Sequence, residues 1–156
     1  MELIERIEEL VALQEKLVNI LLMSGGKRLS LPTNYAFDIL YSNLELLDLL
    51  AEAFLMFDFL EDEYDKERFI NLSAEALAWM ALVLPAIEDS CPIFVSGISY
   101  RREPIEGINY LLGQIERLSK GFSSSLLNQI VKELQSLSKL LRYQISLASK
   151  SYKSLA

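Results

Sequence analysis

Apolar residues return every three or four positions along most of this chain, a rhythm that packed helices satisfy and strands do not. Over residues 2–23 the rhythm is carried by Leu3, Ile4, Ile7, Leu10, Val11, Leu17, Val18 and Leu21. Glu2 and Glu5 fall where the dipole of a helix start favours anions, and Gly25-Gly26 supplies a stop before Lys27 and Arg28. Gln14 occupies a place in the apolar rhythm and so puts one amide in the seam. A second helix is expected from Thr33, a suitable N-cap, to about Leu60. It reads either as one helix or as two joined near Ser42-Asn43, because Ser42 followed by Glu45 matches a capping box. From Ala53 to Leu60 only Asp58 is charged, which predicts a central, all-round apolar segment.

The acidic run 61–67 reads as an exposed connector or frayed helix end, with the next helix from Ser73 to Glu88 and Pro85 as its kink or stop. Cys91 to Tyr100 has strand character in Ile93, Phe94, Val95, Ile98 and Tyr100. Pro104 opens a further helix that ends at Lys120-Gly121. Ser123-Ser124-Ser125 caps the last, which is expected to reach about Leu147 and to fray over 148–156. The expected fold is therefore all-α: a compact bundle of five or six helices, with one short irregular or β-like segment near residues 91–100, in a single domain over 1–156.

Composition agrees. Six Gly and four Pro are few, 51% of residues are hydrophobic, and Leu alone makes up about a fifth of the chain. A domain of 156 residues buries about two-thirds of its unfolded surface and needs no disulfide or metal to fold. Cys91 is the one cysteine, so no internal disulfide forms, as suits a reducing cytosol. No basic segment and cleavage site follow Met1, and the longest uncharged run is about a dozen residues against the roughly twenty that a spanning helix needs. The expectation is a cytoplasmic protein with no membrane contact.

Charge is divided by position. Residues 1–90 hold eighteen Asp and Glu against six Lys and Arg, and residues 91–156 hold four against nine. The two parts are near −12 and +5 within a net −7. Opposite fields of this kind face each other within a molecule, between copies, or toward different ligands.

The chain has no histidine, which removes the commonest general base and the usual zinc and iron ligand. Without it Cys91 reads as a structural thiol, and Trp79 reads as core. Gly25-Gly26-Lys27-Arg28 lacks the spacing of a phosphate loop and follows a helix. The best enzymatic lead is two carboxylate pairs at i and i+3: Glu5 with Glu8, and Glu45 with Asp48. On facing helices such pairs offer Mg²⁺ the oxygen ligands it prefers. This Glu-x-x-Glu and Glu-x-x-Asp spacing, with the phrase Glu45-Leu46-Leu47-Asp48-Leu49-Leu50, resembles the all-α nucleoside-triphosphate pyrophosphatases, and the resemblance implies Mg²⁺-dependent nucleotide hydrolysis. It covers four residues, and no Lys or Arg cluster for a triphosphate adjoins them. The competing reading is a solvated acidic face, which Glu52 extends.

The best binding lead is basic. At about 100° per residue, Lys132, Lys139, Arg142, Lys150 and Lys153 share a sector of about 80° on the last helix, opposite Leu127, Ile130, Leu134, Leu137, Leu141 and Ile145. Such a stripe tracks phosphates, and Tyr100-Arg101-Arg102 adds a basic-aromatic spot able to stack a base. An overall pI near 4.7 and the need of any amphipathic helix for a polar side argue the other way. A third use of the same charges is to pair the acidic first helix with the basic last one, within a copy or between copies. These observations lead to a non-catalytic helical interaction or assembly subunit, expected to self-associate, with no cofactor. Nucleic-acid contact through the C-terminal helix and Mg²⁺-dependent pyrophosphohydrolysis are the alternatives.

Overall fold

A computed structural model describes residues 2–23, 33–60, 62–86 and 104–155. They form five α-helices: α1 (Glu2–Met23), α2 (Thr33–Leu55), α3 (Glu63–Ala86), α4 (Pro104–Lys120) and α5 (Ser124–Leu155). One 3-10 turn, Phe57–Phe59, lies between α2 and α3, and no strand occurs among the described residues. The segment 91–100, with Cys91 and the expected irregular or β-like stretch, and the Gly25-Gly26 stop lie outside them.

The helices close a ring. α1 packs on α3 and α2, α3 on α4, α4 on α5, and α5 on α2. All five feed one apolar core, with Ile7 and Leu10 from α1, Leu47 and Leu50 from α2, Leu77 and Met80 from α3, Ile108 and Leu111 from α4, and Ile130 and Leu134 from α5. Each set follows the three- and four-residue spacing that places side chains on one helix face.

One open reading resolves and three expectations about the elements change. Of the two readings of the second helix the single helix holds, since α2 runs unbroken through Ser42-Asn43. Asn43 is buried, donates through Nδ2 to the Ile39 carbonyl at 2.7 Å within its own helix, and accepts from Gln14 Nε2 of α1. Its side chain is spent on the interior, and Glu45 turns outward to Arg6 instead of closing a capping box.

α3 starts at Glu63, ten residues before Ser73. Asp62 caps it: Oδ1 accepts from the Tyr64 N–H at 2.9 Å and the carbonyl accepts from the Lys66 N–H at 3.1 Å. Glu63 and Asp65 sit in the first turn, where the helix dipole favours them. Ser73 is an interior residue whose Oγ donates to the Phe69 carbonyl at 2.7 Å.

The segment 53–60 is not central throughout. α2 ends at Leu55, and the tighter 3-10 turn sends Phe57 inward and Phe59 outward. α5 continues as a helix to Leu155, beyond the expected fraying point. Ser123 caps it, its Oγ accepting from the Leu126 N–H at 3.3 Å.

Candidate functional site

Two adjoining surfaces carry the notable polar and apolar groups: the outer faces of α2 and α5, and the end of the bundle around the 3-10 turn.

The outer face of α2 carries Asp38, Tyr41, Glu45, Asp48, Glu52 and Leu55, and α2 has no basic residue. Arginines from both neighbouring helices reach it. Arg6 of α1 grips Glu45 with two bonds, Nε to Oε1 and Nη2 to Oε2, both at 2.9 Å, and donates through Nη1 to Glu9 at 3.0 Å. The Glu45 bonds first, and the Glu9 bond next, push the Arg6 guanidinium above its ordinary value, so it stays charged at every accessible pH. From the other side Arg142 of α5 donates to Asp48 Oδ2 at 2.9 Å, and Ser138 Oγ donates to Asp48 Oδ1.

The four carboxylates that resemble a magnesium set are thus distributed. Glu8 pairs with Arg68 of α3, Glu45 with Arg6, Asp48 with Arg142 and Ser138, and Glu5 is exposed on α1. Among the described residues no group of three or more Cys, Asp and Glu is placed to hold a metal ion. The arginines Arg6 and Arg68 that organise these carboxylates were not singled out by their positions in the sequence, where they read as ordinary polar-face residues.

The basic stripe is a real surface of α5. Lys132, Lys139, Arg142 and Lys150 are exposed. Lys153 belongs to α5, its side chain outside the description, and Tyr100, Arg101 and Arg102 lie outside the described residues. The acidic helix beside this stripe is α2 and not α1: α5 packs on α2 and α4, whereas α1 packs on α3 and α2. Within one copy the expected pairing of first and last helices is replaced by Asp48 of α2 with Arg142 of α5.

At the end of the bundle Phe57 is buried against Phe54 and Phe69, whose rings meet edge-on at 4.7 Å. Phe122, from the turn between α4 and α5, stacks on Phe57 at 6.0 Å with 13° between the planes. Lys66 Nζ lies 5.7 Å from the centre of the Phe57 ring. Outside this cluster Phe59 is 81% exposed, Leu55 58% and Phe122 54%. A cleft of about 590 Å³ opens beside Phe122, which lines it with Phe57, Ile70 and Leu118, and Glu63, Glu67, Lys66 and Lys120 are among its other lining residues. The alternation of Phe57 and Phe59 about Asp58 was the available signal for this end.

Among the described residues no helix is long and apolar enough to cross a membrane. The chain matches, over residues 1–155, the model of a protein family described as "Uncharacterized protein", and it belongs to that family. A relative from Aquifex aeolicus (strain VF5), also described as "Uncharacterized protein", is 24% identical over 156 residues, covering 95% of this chain and 91% of its own. No solved structure matches.

Proposed function

We propose that this chain is a non-catalytic helical assembly subunit that holds a partner protein at the aromatic end of its bundle. The observation that supports this most is the exposed Phe122 stacked on Phe57 at the mouth of a cleft. Phe122 is 54% exposed, stacks on Phe57 at 6.0 Å and lines a cleft with Ile70 and Leu118, and Phe59, two residues on from Phe57, is 81% exposed and contributes nothing to the core. Clustered apolar surface of this kind marks interaction sites, whereas single exposed apolar residues do not. The cleft of about 590 Å³ between α3 and the α4–α5 turn, which Phe122 itself lines, provides a receptacle.

The occupant that suits this place is an amphipathic helix of a partner protein. Its apolar side chains would enter between Phe57 and Leu118, while its polar edges meet Glu63 and Glu67 as well as Lys66 and Lys120. A rim of both signs favours a partner that itself carries both, and disfavours a polyanion. Sequence composition points the same way, since a chain without histidine lacks the usual proton-transfer group.

Site-specific photocrosslinking tests the reading. A photoreactive amino acid at position 59 or 122, in the native cellular background, should yield a discrete adduct whose mass spectrum identifies a helical segment of another protein. The same group at Lys16, on the opposite part of the sequence and exposed on α1, should not. Recovery of uncrosslinked chain alone from both positions would remove the proposal.

A further inference from the structure

We propose that the outer faces of α2 and α5 together form a self-complementary interface for a second copy of this chain. The inference does not depend on the aromatic end. It rests on which charges the fold leaves over. Arg6 and Arg142 consume Glu45 and Asp48. Asp38 and Glu52 on α2, and Lys132, Lys139 and Lys150 on α5, make no ion pair within the chain among the described residues.

These leftovers are ordered in space. At about 100° per residue, the α2 carboxylates 38, 45, 48 and 52 occupy a sector of about 80°, as do the α5 cations 132, 139, 142 and 150. The Asp48–Arg142 pair at 2.9 Å, with both side chains about half exposed, shows that the two sectors adjoin at the surface. The result is a negative stripe beside a positive stripe. At 1.5 Å per residue the stripes run roughly 20 and 27 Å.

A two-fold axis along the seam between α2 and α5 lays α2 of each copy over α5 of the other. Asp38 and Glu52 then meet Lys132, Lys139 and Lys150 twice, by symmetry. A two-fold axis across the helices would set like stripes on each other and is disfavoured. Tyr41 and Leu55 on α2 and Tyr143 on α5 are also exposed and add apolar area to the same contact. Two helix faces about 25 Å long and 20 Å across bury about 1,000 Å² in all, at the lower limit for a specific interface. The dimer is therefore concentration-dependent and sensitive to salt, since exposed charge pairs are screened.

The same geometry weighs against nucleic acid as the occupant. Neighbouring helix axes lie about 8–10 Å apart, within one Debye length at 0.1 M salt, so a phosphate chain on α5 would feel the α2 carboxylates. A second copy carries both signs in the required order.

Sedimentation of charge-swapped variants decides the matter, with circular dichroism confirming that each retains its helices. The wild-type chain at ~10–100 μM should show a monomer–dimer equilibrium that weakens as NaCl rises. Asp38→Lys with Glu52→Lys, and separately Lys132→Glu with Lys139→Glu, should each weaken self-association at least tenfold. Mixed one to one, the two variants should form a heterodimer, because the reversed positions 38 and 52 of one chain then face the reversed positions 132 and 139 of the other with opposite signs. A misfolded variant cannot give that rescue. A monomeric wild type, a dimer indifferent to both swaps, or a mixture that stays monomeric would each overturn the interface. So would binding of a short DNA duplex that the Lys132→Glu/Lys139→Glu chain loses and the Asp38→Lys/Glu52→Lys chain keeps. None of these outcomes bears on an adduct formed at position 59, so the two proposals fail separately.

Discussion

At the scale of single residues, the interior polar pair carries the most information. Gln14 on α1 and Asn43 on α2 are buried, and Gln14 Nε2 donates to Asn43 Oδ1 across the helix contact. Gln14 Oε1 has no partner, whereas Asn43 Nδ2 is satisfied by the Ile39 carbonyl at 2.7 Å. Leaving a buried donor unpaired costs about 1–3 kcal/mol, while replacing both members by apolar groups is often close to neutral. Asn43→Ala should therefore lower the unfolding free energy by about 2–3 kcal/mol, from the stranded Gln14 amide and the lost volume. The double variant Gln14→Leu/Asn43→Leu should recover most of that loss, since it also removes the orphaned Oε1. Urea midpoints of the three chains check this, and a double variant weaker than the single would contradict it. Only half of the pair was legible beforehand. Gln14 stands out as a polar residue in an apolar rhythm. Asn43 follows serine at the place where the second helix reads as either continuous or broken, because local spacing does not reveal that an amide has a partner on another helix.

Among the elements, α1 and α4 were legible at both ends, from the acidic start of one and Pro104 and Gly121 around the other. The start of α3 was not. Residues 61–67 are a charged run, and composition alone gives such a run to solvent. The helix begins inside it because Asp62 supplies the cap and because the dipole accepts Glu63 and Asp65. Packing of Phe69 against Phe54, together with the Arg68–Glu8 pair, then ties this first part of α3 to the bundle. Asp62→Ala should cost about 1 kcal/mol, the usual value of such a cap. It should also speed amide exchange at residues 64–66 while leaving the rest of α3 protected. Exchange that rises throughout α3 would mean that the cap does more than hold the first turn. The 3-10 turn was missed for a related reason. Period alone does not distinguish the end of an α-helix from its continuation, and Phe59 faces solvent only because the backbone tightens after Leu55.

For the whole molecule, the sequence displayed faces without displaying their neighbours. The division between an acidic front and a basic rear was plain, and so was the stripe on the last helix. Which acidic helix lies beside that stripe depends on the order of helices around the core, and periodicity contains no such order. The ring places α2 against α5, so the charge complement sits on α2. This separation of faces from core has a thermodynamic consequence. All five helices contribute to a single cluster, and a single cluster in a domain of this size melts as one unit. Trp79 reports on α3, where its Nε1 donates to Glu75 at 3.1 Å, and far-UV circular dichroism reports on every helix. The two signals should give coincident urea transitions. Leu47→Ala, at a fully buried place in α2, should cost about 2–5 kcal/mol and move both transitions together. Exposed charges contribute only about 0–1 kcal/mol per pair, so the swaps on α2 and α5 should shift the dimer equilibrium and leave these midpoints nearly unchanged. Transitions that separate under Leu47→Ala would show that part of the ring folds alone, and the α2–α5 seam would then be a boundary between units instead of one rigid face on which a second copy can register.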